Sequence, residues 1–254
     1  MTNILIIGAG SMGTAFSFPC SDNKHFTTIV GTHLEDNFID LINSTKIHPA
    51  LGCKIPPNVK FLKYQNLSEA VNKAELIVVA VVSKGIEWVS DELSKTLKKN
   101  IPILILTKGL SIHAKNYEVL AHKMERLLKE KGVKETNISA AGGPCLAKGL
   151  ANKVHTSVVF ANSNIEIVKK FSKILSTDYY HIFISNDVVG VEISAAIKNI
   201  FSMAIGASEG LCHPNTSKEI RSNNYLNTAA SLLQQSLQEM IFLLNILREK
   251  KKLF

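Results

Sequence analysis

Little in this chain is built for metal or disulfide chemistry. Its cysteines, at positions 20, 53, 145 and 212, are widely scattered and form no C-x-x-C pair. Such spacing fits reduced thiols in a cytoplasmic protein, not a disulfide framework or a zinc site. The histidines fall in no H-E-x-x-H pattern, so no metal is expected. The longest apolar runs, such as Leu76 to Val82, fall well short of the roughly 20 residues that cross a bilayer, and no membrane span is expected. No basic stretch precedes the first apolar run, so no export signal is expected and a cytoplasmic location is. Acidic residues are the minority, 21 against 29 Lys and Arg, which leaves a net charge of +8 and favours anionic partners. The basic residues are spread along the chain without a basic helix face or interleaved aromatics. Nucleic acid is therefore not expected, and a dinucleotide with phosphorylated metabolites suffices.

What is present is an ordinary folded chain. Its 254 residues, 46% hydrophobic and 20% charged, can bury a core in one large domain or two unequal ones. The organising stretch is at the amino end. Ile4-Leu5-Ile6-Ile7, apolar and mostly β-branched, reads as a strand buried on both faces. Gly8-Ala9-Gly10-Ser11-Met12-Gly13 follows at once. In this G-x-G-x-x-G pattern Gly8 makes the tight turn and Gly10 leaves bare backbone for a pyrophosphate. Gly13 allows close helix–sheet packing, and the phosphates rest on helix N-terminal amides.

Downstream, Thr14 to Ser21 reads as a short helix that Pro19 should kink or end. Phe26 to Val30 is a second strand. No carboxylate stands at its tip to hold ribose hydroxyls, and Glu35 and Asp36 read as the first turn of the next helix, which leaves NAD and NADP both open. Ile47 to Pro57 reads as a loop, Val59 to Leu62 as a strand, and Leu76 to Val82 as a central strand leading through Ser83 into a helix from about Ile86 to Lys98. Trp88 on that helix reads as packing, with a cofactor contact as the other reading. Ile101 to Leu106 is a strand that delivers Thr107-Lys108-Gly109-Leu110. This alternation predicts a parallel, doubly wound sheet whose ligands bind beyond the strands' carboxyl ends, where Gly8 to Gly13, Ser83 and Lys108 fall.

Tyr117 to Lys131 reads as a helix, and Asn137 to Ala141 as a short strand into Gly142-Gly143-Pro144-Cys145-Leu146-Ala147. Strands at Thr156 to Phe160 and Tyr179 to Ile184 flank a helix from Ile165 to Leu175. From Asp187 to Glu209 runs a helix apolar nearly all round, which should be largely buried. A polar irregular stretch, Cys212 to Asn224, precedes a last helix. The expected domains are 1–185 and 186–254. Lys198 and Asn199 sit in the middle of the apolar helix. Burial would push the lysine's pKa down and suit it to proton transfer. The other reading is a lysine that snorkels to the surface or pairs with a distant carboxylate.

Gly8 to Ala15, Thr107-Lys108-Gly109-Leu110, Gly143-Pro144-x-x-Ala147 and Ala196-Ile197-Lys198-Asn199-Ile200 resemble, in order and spacing, the NAD(P)-dependent glycerol-3-phosphate dehydrogenases. Gly31-Thr32-His33 through His48-Pro49-x-Leu51-Gly52, and Asn227 to Met240, resemble the same family, so the likeness covers nearly the whole chain. It implies a doubly wound, Rossmann-like α/β domain followed by a short all-α C-terminal domain. It further implies reversible hydride transfer between NAD or NADP and C2 of dihydroxyacetone phosphate, giving sn-glycerol 3-phosphate for phospholipid synthesis. By carry-over Lys198 is the proton donor, Asn199 contacts substrate beside it, and Lys108 reaches cofactor and substrate. Gly143 and Cys145 touch substrate. Gly8, Gly10, Ser11, Met12, Gly13, Thr32, His33, Ser83 and Ala147 line the dinucleotide.

Three departures accompany the likeness. Cys145 stands where the family usually has serine, and Cys212 to Leu226 looks like an insertion. The family also carries, beyond the helix at Glu239-Met240, an aspartate and an adjacent Arg-Asn pair for the substrate's hydroxyls and phosphate. Here the chain stops at Phe254, and Arg221 and Arg248 are not followed by asparagine. A C-terminal truncation is thus expected, with a non-catalytic dinucleotide-binding remnant or partner-binding module as the alternative to an enzyme. An apolar face on Leu226 to Leu253 would favour a homodimer.

Overall fold

A computed structural model describes residues 1–98, 100–211 and 224–251. The chain begins with β1 (Asn3–Ile7), α1 (Ser11–Asp22), β2 (Phe26–Val30), α2 (Asp36–Thr45), β3 (Ile47–His48), β4 (Cys53–Lys54) and β5 (Val59–Leu62). It continues with α3 (Leu67–Lys73), β6 (Leu76–Val79), α4 (Gly85–Thr96), β7 (Ile103–Ile105), β8 (Leu110–His113), β9 (Asn116–Val119) and α5 (Leu120–Glu130). Then come β10 (Ile138–Gly142), α6 (Ala147–Ala151), β11 (Thr156–Ala161), α7 (Ile165–Leu175), β12 (Tyr180–Ser185), α8 (Val188–Gly210) and α9 (Asn224–Lys251).

Eight strands form one sheet in the order β12-β11-β10-β7-β6-β1-β2-β5. From β5 to β10 every pairing is parallel. The strands behind the expectation of a parallel, doubly wound sheet are thus parallel, and beyond them β11 runs antiparallel to β10. The link from β10 to β11 holds only the five-residue α6, too little for a crossover, so the chain turns back from the edge at which it left. From β1 the chain builds outward through β2 and β5, then returns to β1's other side at β6. The direction of winding therefore reverses at β1, and the glycine-rich turn leaves the sheet there.

Alternation along the strands explains the two packed faces. Ile4 and Ile6 of β1, with Leu76 and Val78 of β6, pack with Phe16, Ile39 and Phe171. Leu5 and Ile7, with Ile77 and Val79, point the other way into a second cluster with Val71, Val89 and Met124. Each such fully buried side chain contributes about 1.5–3 kcal/mol.

Several local expectations change. The first helix starts at Ser11, at the glycine-rich turn, and Pro19 lies inside it. It runs three residues further, to Asp22, since proline there forfeits one intrahelical donor while the Pro19 carbonyl still accepts the Asn23 N–H at 3.1 Å. The segment read as a loop from Ile47 contains the β3–β4 hairpin. The start of the helix read from Tyr117 is instead β9, paired with β8 across Ala114 and Lys115, which both take positive φ (48° and 66°). Two consecutive residues in that region make the tight turn whose twist matches a hairpin.

The molecule divides into two compact units, Met1–Glu192 and Ile193–Phe254. In α8 the expectation of a largely buried helix is corrected. Val188 belongs to the second core cluster and Glu192 is buried, but Ile200 is 66% exposed and Met203 75% exposed. An apolar composition all round a helix shows that it can be buried, not that both its ends are. At 23 residues α8 is long and apolar enough to cross a bilayer by length and composition. Its first turn is packed in protein core. The polar stretch expected from Cys212, including Arg221, falls largely outside the described residues, as do the side chains of Tyr225 and Arg248.

Candidate active site

The glycine-rich turn is shaped by three different demands. Gly8 has φ +107°, and a Cβ there would meet the Ala80 carbonyl oxygen at 2.8 Å. At Gly13 a Cβ would meet the Gly8 carbonyl oxygen at 2.3 Å, so helix and strand can approach only over a bare glycine. Gly10 differs, since a Cβ there would meet nothing within 4 Å. Its backbone faces open space at the N-terminus of α1, which has no side-chain cap and no acidic residue in its first turn. The amides of Ser11, Met12 and Gly13 lack intrahelical acceptors and lie at the positive end of the helix dipole. Bare backbone, free amides and a positive helix end fit the diphosphate of a dinucleotide.

The other expected residues of the first unit gather at the same edge of the sheet. Thr32 and His33 follow β2, Ser83 follows β6, Lys108 follows β7, and Gly143 and Cys145 follow β10. Ser83 lies against Gly109, whose added Cβ would sit 3.4 Å from the Ser83 Cβ. Lys108 Nζ donates to the Gly143 carbonyl at 3.4 Å. Met12, Lys108, Gly143 and Cys145, with Phe16 and Tyr180, line a cavity of about 30 Å³, room for about one water. A larger depression of about 390 Å³, lined by Asn3, Thr28, Lys60 and Lys73, contains none of these residues. Burial pushes the Cys145 thiol pKa up, opposed by the Lys108 ammonium and by Thr156. Gly143 has φ +131°, and a Cβ would press on the Ser157 carbonyl oxygen at 3.0 Å. Ala147 opens α6 and packs against the first core cluster.

Two groups at this edge escaped the sequence. Glu35 was expected only as part of a helix start, yet its Oε2 accepts the Thr32 N–H at 2.7 Å and the Ala9 N–H at 3.3 Å. The absence of a carboxylate beyond β2 is thereby corrected. Glu35 is the N-cap residue of α2, and the turn in which its N–H donates to the Thr32 carbonyl at 3.0 Å brings the acid back toward the strand. The second is an aromatic trio. The His33 ring lies 5.3 Å from Trp88 and 6.4 Å from Tyr64, and Tyr64 lies 5.7 Å from Trp88. His48 is buried beside the turn, with Nδ1 accepting the Leu51 N–H at 3.2 Å. Its Nε2 has no hydrogen-bond partner. Burial pushes its pKa down, against the pull of the Ala9 backbone and the Glu35 carboxylate.

In the second unit Lys198 is half-buried, and its Nζ donates to Asn199 Oδ1 at 2.7 Å. Among the described residues Asn199 and those from Ile200 to Ala204, apart from Phe201, are exposed.

Comparison with known proteins bears on the whole arrangement. Residues 3–168 match the family model for the NAD-dependent glycerol-3-phosphate dehydrogenase N-terminus, and residues 187–254 match that for its C-terminus. An NADP(+)-dependent glycerol-3-phosphate dehydrogenase of Archaeoglobus fulgidus is 29% identical over 248 residues, covering 96% of this chain and 70% of the relative. A glycerol-3-phosphate dehydrogenase [NAD(P)+] of Exiguobacterium is 29% identical over 220 residues. The match covers 86% of this chain but only 62% of that relative. Among solved structures, a glycerol-3-phosphate dehydrogenase of Coxiella burnetii superposes with a TM-score of 0.75 at 21% identity, over 96% of this chain and 69% of the other. At that identity the likeness speaks for the fold.

Proposed function

The chain belongs to the NAD-dependent glycerol-3-phosphate dehydrogenase family, and we propose that it interconverts dihydroxyacetone phosphate and sn-glycerol 3-phosphate with NAD(H) or NADP(H). The observation that carries this reading is a bare cradle at Gly10, set where the sheet's winding reverses, in a chain matched along its length by that family. The bound nicotinamide would supply or accept the hydride at C2 of the substrate. Backbone amides of Ser11, Met12 and Gly13 would take the diphosphate, with Gly8 holding the turn beneath it. Thr32 and His33 would flank the adenosine end, and Ser83, Lys108 and Ala147 would complete the cofactor's surroundings.

Lys108, Gly143 and Cys145 would meet the substrate. The Lys108 ammonium brings positive charge to a substrate that carries a phosphate. By family resemblance Lys198 would donate the proton to the carbonyl oxygen, and its charge would stabilise the developing alkoxide. The Asn199 amide oxygen, already holding the Lys198 ammonium, would orient it and contact substrate. Leu233, Leu237 and Ile241 recur at helical spacing on α9 and are each more than half exposed, which favours a homodimer through that face.

The test is loss of NADH or NADPH absorbance in purified protein given dihydroxyacetone phosphate. Oxidation that needs this substrate and disappears in Lys198→Ala supports the reading. Cofactor binding without turnover replaces it with a dinucleotide-binding remnant, and turnover with another ketone alone replaces the substrate. Light scattering of the same sample reads the oligomeric state.

A further inference from the structure

The Glu35 carboxylate makes two contacts, and a local turn explains one of them. Its bond to the Thr32 N–H lies within the turn that leads into α2, where the Glu35 N–H also donates to the Thr32 carbonyl at 3.0 Å. Its bond to the Ala9 N–H reaches 26 residues back along the chain, to the residue between the first two glycines of the turn. Gly31 makes room for this, because a Cβ at Gly31 would crowd the Glu35 Cβ at 3.2 Å. An acceptor is thus held between the end of β2 and the glycine-rich turn. In parallel sheets of this winding, the adenosine ribose of a dinucleotide lies there.

We propose that Glu35 reads the adenosine ribose and makes this chain select NAD(H) over NADP(H). The proposal rests on the reading of the glycine-rich turn as a dinucleotide cradle. An ionised carboxylate only accepts hydrogen bonds, and a ribose 2′-hydroxyl can donate one. A 2′-phosphate instead brings close to two negative charges and further acceptors against the same oxygens. None of the ion pairs among the described residues includes Glu35. Burial pushes the pKa of the nearby His48 imidazole down, which disfavours a compensating charge there. This selectivity would set the chain apart from its Archaeoglobus relative, which is named as NADP(+)-dependent.

The site carries its own reporter, because Trp88 is the sole tryptophan of the chain and its ring lies 5.3 Å from that of His33. Full-length protein is titrated separately with NADH and NADPH, following Trp88 fluorescence and, independently, heat by calorimetry. The expected result is about tenfold or greater preference for NADH, since like charges brought together at a binding site are strongly disfavoured. Glu35→Gln keeps an oxygen for Thr32 and Ala9 but removes the charge, so the preference should collapse, chiefly through tighter NADPH binding. Asp40→Asn, an equal change of charge on the outer face of α2, should leave the preference intact. Equal affinities in the wild type, or an unchanged ratio in Glu35→Gln, overturns the role of Glu35 while leaving the cradle standing. Collapse in Asp40→Asn as well reduces the effect to overall charge and also overturns it. Heat from neither dinucleotide overturns the cradle itself, and this proposal with it.

Discussion

The carboxylate of Glu192 accepts the backbone N–H of Ala121 at 2.9 Å, across 71 residues of sequence. It thereby occupies the amino end of α5, where the helix dipole favours negative charge. Glu192 is only 5% exposed, and burial raises its pKa to about 7, against the pull of the Ala121 and Leu120 amides.

That shift makes stability fall as pH rises. The folded chain binds the Glu192 proton more tightly than the unfolded chain does, so this group's contribution is greatest below the unfolded pKa near 4.5 and is lost as pH climbs toward 7. Glu192→Gln keeps an acceptor for Ala121 and cannot ionise. Relative to wild type, its stability should improve by about 2 kcal/mol between pH 5 and pH 8, measured by chemical denaturation. An equal gap at both pH values would mean that Glu192 does not titrate in this range.

Two glycines of the same turn should respond in opposite ways. Gly13→Ala forces a Cβ onto the Gly8 carbonyl oxygen and should cost about 1–3 kcal/mol or more, seen as a lower Tm. Gly10→Ala meets no atom within 4 Å, and its extended backbone suits alanine, so stability should stay within about 0.5 kcal/mol. Its methyl group stands where the diphosphate would approach, so dinucleotide affinity should drop about tenfold or more. Thermal melts paired with cofactor titrations separate the two effects. Tight binding by Gly10→Ala would remove the diphosphate from that spot.

What could be read from the chain was what is local. Phe26 to Val30 is a strand over the expected residues because a β-branched run identifies a strand without help from its partners. Gly8 to Gly13 was legible because each glycine answers a backbone demand. The β8–β9 hairpin was hidden, since Ala114 and Lys115 lack the Asn or Gly that usually marks such a turn. Glu192 was hidden for another reason. Its partners lie on a different helix, and no periodicity within α8 points to them. Glu35 sits between these cases, because its place at the start of α2 was visible in sequence whereas its reach to Ala9 depends on β1 and β2 lying side by side.

Arg126 should prove hard to replace even by lysine. Its Nε and Nη2 grip the two oxygens of Glu118 at 2.9 and 3.0 Å, and its Nη1 bonds Glu130 at 3.0 Å. The fork ties β9 to α5 through side chains that are mostly shielded from water. Arg126→Lys keeps the charge and loses the paired geometry, for an expected loss of about 1 kcal/mol, or about 2–4 °C in Tm. With Glu118→Gln already in place, the same change should cost clearly less. Additive losses in that double-mutant cycle would show that the fork contributes nothing beyond packing.

Cys145 gives the sharpest reading of where substrate sits. Its thiol, half-buried beside Lys108 and raised in pKa by burial, stays protonated at neutral pH and should alkylate slowly. A thiol donates and accepts hydrogen bonds weakly, whereas the serine usual at this position in the family does both well. If position 145 touches the phosphorylated substrate, Cys145→Ser adds one good hydrogen bond, and KM for dihydroxyacetone phosphate should fall about 2- to 10-fold. NADH affinity should stay unchanged, because the family resemblance gives position 145 to the substrate and not to the dinucleotide. A KM that holds or rises would instead make Cys145 a packing residue of the small cavity it lines with Met12 and Tyr180, and would move the substrate away from Gly143.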